Sequence, residues 1–236
     1  MALPRTGHSS QSLDAVTVFK GLPPETLAKI RSRCTWRRYS PREPIIEYSD
    51  SSNDVFFISA GEARASIHSI DGKVVTFCDL GPGEMFGEIA AIDGGPRSAS
   101  IEARTSCLIA SMSAATFREL QQSEPALAQA LLRYFARKVR DLTTRVYEFS
   151  ALAVSNRIQS EVLRLARLAA RQGRTARIDT APTHAEIASR TSTHREAVTR
   201  ELNRLSRLGV IEQQGRTLIV TDIDRLAAMV HEVTGE

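Results

Sequence analysis

A carboxylate and a guanidinium nine residues apart, Glu88 and Arg97, are the side chains of this sequence best suited to hold a small ligand. Both lie in one glycine-punctuated stretch, residues 86–100, which reads FGEIAAIDGGPRSAS. A bidentate arginine matches two exocyclic oxygens of a phosphate, and a carboxylate accepts a hydrogen bond from a sugar hydroxyl. A cyclic nucleotide presents these two groups side by side. An exposed Glu–Arg ion pair in a surface turn explains the spacing equally well, so the spacing alone leaves both interpretations open.

Neighbouring residues add to the predicted anion site. Ser98 supplies a hydroxyl donor, Gly87 lets the backbone approach closely, and the N–H groups of residues 88–90 are placed to begin a helical turn aimed at the anion. Glu88 alone would repel a phosphate, so we assign it to the ribose 2′-hydroxyl, with Arg97 offsetting the like charge. The predicted contact residues in this stretch are Gly87, Glu88, Ile89, Ala90, Arg97 and Ser98.

A second stretch, residues 183–209, has the pattern of two short helices joined by a tight turn. Residues 183–186 (THAE) predict a capping box that opens the first helix, and residues 193–196 (THRE) predict the same device for the second, which ends at Gly209. Thr191 and Ser192 supply the turn. Three apolar residues mark the surface where the two helices pack: Ile187, Ala188 and Val198.

The start of the second helix carries side chains that can read DNA bases. Glu196 and Arg200 are one turn apart and share a face, which Arg195 flanks. An arginine grips guanine O6 and N7, and a glutamate accepts from cytosine N4. Two plainer readings stay open, in which Glu196 serves only its capping box and the arginines form a solvated face. Weaker predicted contacts to phosphates are Arg190, Thr193, His194 and Arg216.

The elements that must position these two sites follow from hydrophobic patterning. Residues 13–34 have a helical rhythm interrupted by Pro23 and Pro24, and residues 35–115 alternate short apolar runs with turn signals. Many short strands at such spacing predict an antiparallel barrel or roll.

A long helix is predicted over residues 126–150, where neither glycine nor proline occurs. Its narrow apolar stripe is typical of a two-stranded coiled-coil seam, and packing of a single helix on its own domain is the alternative. A break or cap at Ser155 and Asn156 then precedes a helix over residues 158–171, closed by Gly173. Residues 210–220 predict a hairpin with a glycine turn, and Asp222 is placed to cap a last helix.

Composition narrows the class of protein. The 236 residues suffice for two domains, and no apolar run approaches the ~20 residues that span a bilayer. Residues 1–12 are polar, so we expect neither a signal peptide nor a membrane partner, and we expect a cytoplasmic location. From Val154 onward there are 13 arginines, no lysine and 10 acidic residues, an excess of positive charge that suits nucleic acid. Three scattered cysteines, Cys34, Cys78 and Cys107, indicate neither a disulfide framework nor a metal site.

The motifs resemble one known family. Residues 86–90 and 96–100 are similar to the phosphate-binding cassette of the cAMP receptor protein (catabolite activator) and FNR family, and the likeness continues over residues 136–158 and 186–202. It implies an α+β fold: an N-terminal antiparallel β-roll with flanking helices, a long dimerisation helix and a C-terminal winged helix-turn-helix. The implied domains are a disordered tail (1–12), a cyclic-nucleotide-binding β-roll (13–125), a dimerisation helix with hinge (126–153) and a DNA-binding domain (154–236).

The resemblance also implies a function. It implies a homodimer, joined through the 126–150 helix, that binds cAMP or cGMP without a metal and recognises a TGTGA-like palindrome in double-stranded DNA. RNA polymerase is a further implied partner, and the chain is not expected to be an enzyme. A change in the arrangement of the two long helices would be transmitted to the DNA-binding domains through a hinge near residues 150–156.

One departure from the prototype leaves the choice of base open. There, a Thr–Ser pair on the long helix contacts adenine, and the matching positions here are Leu142 and Thr143. Thr143 keeps a hydroxyl, Leu142 has none, and Thr144 lies ~100° further round the helix.

Three alternatives remain at this point. The first is a regulator of the same superfamily that is independent of ligand or responds to redox state through its cysteines. The second is a cyclic-nucleotide sensor that acts through protein contacts. The third is an enzyme acting on cyclic nucleotides, against which the sequence offers no His/Asp metal cluster and no nucleophile–base pairing.

Overall fold

The chain is described here from a computed structural model that covers residues 11–68 and 74–234. Over these residues it contains eight α-helices and twelve strands, which confirms the α+β class. The predicted disordered tail, residues 1–12, lies almost wholly outside the described residues. Internal contacts divide the chain into two units, the first ending at Lys138 and the second beginning at Val139.

The first unit is an antiparallel roll flanked by helices. Two four-stranded sheets form it, with strand orders β1-β8-β3-β6 and β2-β7-β4-β5, and every pairing is antiparallel as predicted. The strands are β1 (Thr35–Tyr39), β2 (Pro44–Ile46), β3 (Val55–Ala60), β4 (Ala63–His68), β5 (Val74–Leu80), β6 (Met85–Phe86), β7 (Ser100–Ala103) and β8 (Cys107–Met112). The helices are a 3-10 turn (Thr17–Phe19), α1 (Pro24–Ser32), α2 (Glu88–Asp93) and α3 (Ala114–Ser123).

The apolar run at the start of β3 is buried on both faces of its sheet. Phe57 packs between Phe19 and Phe117, with ring centroids 4.8 and 6.4 Å away, in the core under the helices. Phe56 stacks on Phe86 at 5.0 Å inside the roll. A strand covered on both sides reads as a continuous apolar run rather than an alternating one, which explains the pattern in the sequence.

The long helix α4 spans Pro125–Ala151, as predicted to within one residue at each end. Leu127 and Leu131 are buried in the core of the first unit. Further along, the apolar stripe is 41–66% exposed. Its members are Leu132, Val139, Leu142, Val146 and Phe149. Leu127 and Leu131 therefore pack the beginning of the helix on its own domain, whereas the exposed stripe is open to a partner.

The second unit is a helix-turn-helix with a four-stranded sheet of order β11-β12-β10-β9. Its core joins residues from four helices, among them Ile158, Ile187, Val198, Leu205 and Leu226. The elements are α5 (Val154–Leu168), β9 (Ala170–Gln172), β10 (Thr175–Ile178), α6 (His184–Arg190), α7 (Arg195–Arg207), β11 (Ile211–Gln214), β12 (Thr217–Val220) and α8 (Ile223–Thr234). Asp222 caps α8 by accepting from Arg225 N at 3.0 Å, as predicted.

The predicted bounds of α5 were wrong at both ends. The helix begins at Val154 with Ala153 as its cap residue, so Ser155 and Asn156 lie in its first turn rather than in a break. It ends at Leu168, because residues 170–172 pair with β10 as an edge strand and Gly173 forms the hairpin turn at φ 61°. Local helix preference in this apolar stretch gives way to strand pairing, which a single-segment pattern does not show.

Candidate functional site

Arg97 is held inside the first unit with one arm of its guanidinium uncommitted. The residue is 2% exposed, its Nε donates to Ser52 Oγ at 3.0 Å, and its Nη1 donates to the Gly87 carbonyl at 3.0 Å. Its Nη2 is buried and has no hydrogen-bond partner within the described residues. A buried guanidinium N–H without an acceptor is costly, so this atom fits an anionic ligand that supplies one.

The charges around Arg97 explain how a cation is kept there. Burial lowers its pKa, and the carboxylates of Asp54, Asp50 and Glu88 counter that effect. Sequence reasoning missed the two aspartates, although both sit in the polar turn of residues 49–54 that joins two predicted strands.

Gly87 is glycine for two physical reasons. Its φ of 79° lies in the left-handed region, and a Cβ there would stand 2.6 Å from Arg97 Nη1 and 2.7 Å from the Asp54 carbonyl oxygen. The residue is the cap that precedes the six-residue helix α2, and its carbonyl group accepts a hydrogen bond that orients Arg97.

Replacing Gly87 by alanine should therefore cost about 1–3 kcal/mol of unfolding free energy and weaken ligand binding through displacement of Arg97. Gly94 offers a matched control, because its φ is 74° but a Cβ there would meet nothing within 4 Å. Thermal unfolding and ligand titration of Gly87→Ala and Gly94→Ala separate close contact from backbone strain. Equal effects of the two substitutions would contradict the crowding at Gly87.

Glu88 is 8% exposed and faces groups that the sequence analysis did not identify. Burial raises its pKa, while a backbone hydrogen bond, the Lys138 ammonium and the Tyr134 hydroxyl favour its charged form. Lys138 Nζ lies 5.4 Å from the centroid of the Tyr134 ring. The two are four residues apart on α4, a spacing that places them on one face beside the apolar stripe. Glu88 is thus a buried, oriented acceptor.

The other predicted ligand contacts occupy varied environments. Ser98 is exposed, Ile89 is 43% exposed and Ala90 is buried. In the second unit, Thr143 Oγ1 donates to the Val139 carbonyl at 2.9 Å, so its hydroxyl retains only acceptor capacity in this state. Leu142 and Thr144 are exposed.

The helix-turn-helix has the predicted construction at its first helix and turn. Thr183 and Glu186 form the capping box: Thr183 Oγ1 accepts from Glu186 N at 3.2 Å, and the Glu186 carboxylate accepts from Thr183 N at 2.7 Å. Thr191 ends α6 and Ser192 turns the chain at φ 49°. Ile187, Ala188 and Val198 are buried where they were expected.

The second predicted capping box is wrong. His194 is the cap residue of α7, and no side chain caps this helix end. Thr193 lies one position too early for the motif, so the Glu196 carboxylate is not used in capping. Arg195, Glu196 and Arg200 are all exposed, and Glu196 and Arg200 lie on the side of the helix opposite the buried Val198. None of the three has an ion-pair partner in the part of the chain that the structure describes, so their charged ends are available for contacts in the major groove of DNA.

The prediction of a phosphate contact for Arg190 does not fit the geometry. Its side chain is buried, and its Nη1 lies 3.2 Å from Glu161 Oε1 inside the second unit. Among the other weaker candidates, His194 and Arg216 are exposed and Thr193 is half-buried. Arg216 follows Gly215 in the turn between β11 and β12, the tip of the wing.

Family models match both parts of the chain that contain these candidate sites. Residues 36–124 match the family model of the cyclic nucleotide-binding domain, and residues 157–229 match that of the Crp-like helix-turn-helix domain. The chain thus has the two-domain composition of the CRP-FNR family of transcription regulators. It is 25% identical over 211 residues to the CRP-like cAMP-activated global transcriptional regulator of Mycobacterium tuberculosis, covering 89% of this chain and 94% of that one. It is 29% identical over 216 residues to the cyclic AMP receptor protein of Thermus thermophilus, covering 92% and 95%.

Solved structures show the same fold. The catabolite activator protein of Thermus thermophilus superposes with a TM-score of 0.52 at 28% identity, covering 92% of this chain and 99% of that one. The CLP regulator of Xanthomonas campestris superposes with a TM-score of 0.72 at 20% identity, covering 84% and 99%. The named relatives are transcription regulators, not enzymes, in agreement with the expectation for this chain.

Two further features of the described residues bear on other classes of protein. No helix among them has the length and apolarity needed to cross a membrane. No group of three or more His, Cys, Asp or Glu side chains among them is arranged to hold a metal ion.

The thiols of Cys34 and Cys107 do not have the properties of redox sensors. Burial raises the pKa of Cys34 to about 11 and also raises that of Cys107. At about pH 7.5 Cys34 should react with a maleimide or with hydrogen peroxide roughly tenfold or more slowly than free cysteine, because the thiolate is the reactive form, and Cys107 should also react more slowly. Rates obtained by mass spectrometry check this, and modification as fast as free cysteine would favour the redox alternative.

Proposed function

We propose that the chain is a homodimeric regulator whose DNA binding is controlled by a purine cyclic nucleotide. The observation that carries the proposal is the buried Nη2 of Arg97, which has no hydrogen-bond partner among residues 11–68 and 74–234 and lies in the same site as the buried carboxylate of Glu88. A cyclic phosphate supplies the missing acceptor, and the adjacent ribose hydroxyl supplies a donor for the carboxylate.

We assign Arg97 and Ser98 to the phosphate, Glu88 to the ribose 2′-hydroxyl, and Gly87 and its following N–H groups to the close backbone contact. The relatives named for cAMP favour cAMP as the ligand, with cGMP as the competing choice. We propose that Leu142, Thr143 and Thr144 lie near the base. Leu142 cannot form the hydrogen bond to the base that a threonine at this position would form.

We assign the exposed stripe of α4 to the dimer. A second copy packed in parallel would cover Leu142, Val146 and the other exposed apolar residues, as in a coiled coil. The proposed domain organisation is a ligand-binding domain over residues 13–125, a dimerisation helix with hinge over 126–153 and a DNA-binding domain over 154–236.

We assign Arg195, Glu196 and Arg200 to base edges in the major groove, and Thr193, His194 and Arg216 to phosphates. The proposed target is a palindrome with TGTGA-like half-sites, because a two-fold dimer presents two recognition helices ~34 Å apart to successive major grooves. RNA polymerase is a proposed partner of the DNA-bound dimer.

Calorimetric titration of the purified chain with cAMP, cGMP and 5′-AMP tests the ligand proposal. We expect saturable binding of a cyclic nucleotide. We expect 5′-AMP, which lacks the ring-closed phosphodiester, to bind roughly 100-fold or more weakly than the cyclic nucleotide. Fluorescence anisotropy with a TGTGA palindrome and a scrambled duplex tests the DNA proposal. No binding of either cyclic nucleotide, or equal affinity for the two duplexes, would overturn the corresponding part.

A further inference from the structure

A network of charges with a buried centre ties the end of α4 to the helix-turn-helix within the second unit. Two glutamates form its centre, Glu148 on α4 and Glu161 on α5, and Glu161 is 1% exposed. Three arginines from three helices converge on them: Arg145 on α4, Arg164 on α5 and Arg190 at the last position of α6.

The contacts join each pair of these helices. Arg164 donates to both oxygens of Glu148 at 2.8 and 3.0 Å, which links α5 to α4, and it also pairs with Glu161. Arg145 Nη1 lies 3.3 Å from Glu161 and donates to the Arg190 carbonyl at 3.5 Å. Arg190 Nη1 lies 3.2 Å from Glu161, which links α6 to α5.

A second side chain of α5 holds the same two regions. Arg157 donates to the carbonyls of Phe149, in the last turn of α4, and of Ser192, in the turn of the helix-turn-helix, each at 3.4 Å. Its guanidinium carbon lies 5.8 Å from the centroid of the Phe149 ring. The network and Arg157 thus fasten the end of α4 to the last residue of α6 and to the turn that follows it.

Charges buried in this way resist separation. Removing one member leaves its partner uncompensated in a poorly solvated place, so the arrangement specifies one geometry more than it adds net stability. Residues 145–151, about two turns of helix, are the part of α4 that carries Arg145 and Glu148.

We propose that Glu148 and Arg164 are positioning residues that fix the last two turns of α4 to the helix-turn-helix, so that these parts move as one body. The segment 150–156, expected from the sequence to be the hinge, is then clamped rather than free to bend. The inference rests on the proposed function, in which the ligand acts through α4, and it names the contacts that connect α4 to the first helix and the turn of the helix-turn-helix.

Hydrogen–deuterium exchange of the full chain tests the clamp without any ligand. In Arg164→Gln the amides of residues 146–152 should exchange roughly tenfold or more faster than in the wild type, because the clamp no longer opposes local opening. Arg204→Gln is the matched control. Arg204 also donates to a buried glutamate, Glu201, and its side chain is 42% exposed, against 34% for Arg164. Unlike Arg164, Arg204 forms its ion pair with a residue of its own helix, α7. In Arg204→Gln the amides at 146–152 should exchange within about twofold of the wild type. Unchanged exchange in Arg164→Gln would overturn the proposal.

A second readout separates positioning from mere stability. The ratio of operator Kd without and with cAMP should fall about fivefold or more in Arg164→Gln, while the Kd for cAMP stays within about twofold. Arg164→Lys keeps the positive charge but loses the bidentate guanidinium, so it should restore part of the ratio. If the Arg164→Gln protein does not fold, Arg164→Lys takes its place in both measurements. A ratio unchanged in Arg164→Gln overturns the inference. A wild-type chain that binds no cyclic nucleotide overturns the proposed function instead, and the exchange result still decides the clamp.

Discussion

An Arg97→Ala chain is expected to bind cAMP roughly 100-fold or more weakly than the wild type. Arg97 is the buried cation of the ligand site, and one of its donors lacks an acceptor among the described residues. Charge-assisted hydrogen bonds contribute about 1.5–3 kcal/mol each, and the uncommitted Nη2 of Arg97 carries two N–H donors, so losing both removes roughly 3–6 kcal/mol of binding free energy. Calorimetric titration measures the change directly.

Two control variants make the result specific. Arg64→Ala removes another largely buried arginine of the same unit, one that pairs with Asp79 and has no proposed ligand role. It should leave the Kd for cAMP within about threefold of the wild type. Arg97→Lys keeps the charge without the fork and should fall between wild type and alanine. A regulator independent of ligand or driven by redox state would lose nothing on Arg97→Ala, and that outcome would refute the phosphate assignment.

The second large effect is expected at the DNA interface. Replacing Arg200 by alanine should weaken binding to a TGTGA palindrome by about 2–6 kcal/mol, or roughly 30-fold to 10⁴-fold. The reason is that a base-contacting arginine contributes about 1–3 kcal/mol of discrimination, and a dimer has two such contacts. Anisotropy titrations with the palindrome and with a scrambled duplex report both affinity and specificity.

Arg207 provides the comparison for this prediction. It is exposed at the far end of the same helix and donates to the Asn203 carbonyl at 3.4 Å. Arg207→Ala removes an equal charge, so it should reduce affinity for both duplexes alike and leave their ratio unchanged. If the two substitutions lower the ratio equally, Arg200 does not read a base.

Local patterns were enough to place the elements that hold both sites. The long helix followed from 25 residues without glycine or proline, the roll from short apolar runs between turn residues, and the first capping box from four residues in sequence. In each case the structural cause lies within a few residues of its effect.

What the sequence could not provide depends on partners distant along the chain. The end of α5 became a strand because β10 lies beside it, and Arg190 became buried because Glu161 lies 29 residues earlier and faces it. Tyr134 and Lys138 reach Glu88 only because α4 packs on the roll. The failed capping box at α7 shows a further limit, since residues 193–196 fit the motif but the cap falls at His194.

The most direct test of the account is the affinity of the full chain for a TGTGA palindrome at one fixed salt concentration, with and without saturating cAMP or cGMP. A coupling free energy of about 1–3 kcal/mol between ligand and DNA corresponds to a change of roughly 5–150-fold in the Kd for the palindrome. We therefore expect the chain to bind the palindrome at least about fivefold more tightly with the preferred nucleotide than without it. Equal affinities under the two conditions, with calorimetry showing the nucleotide bound, would contradict a ligand-controlled regulator.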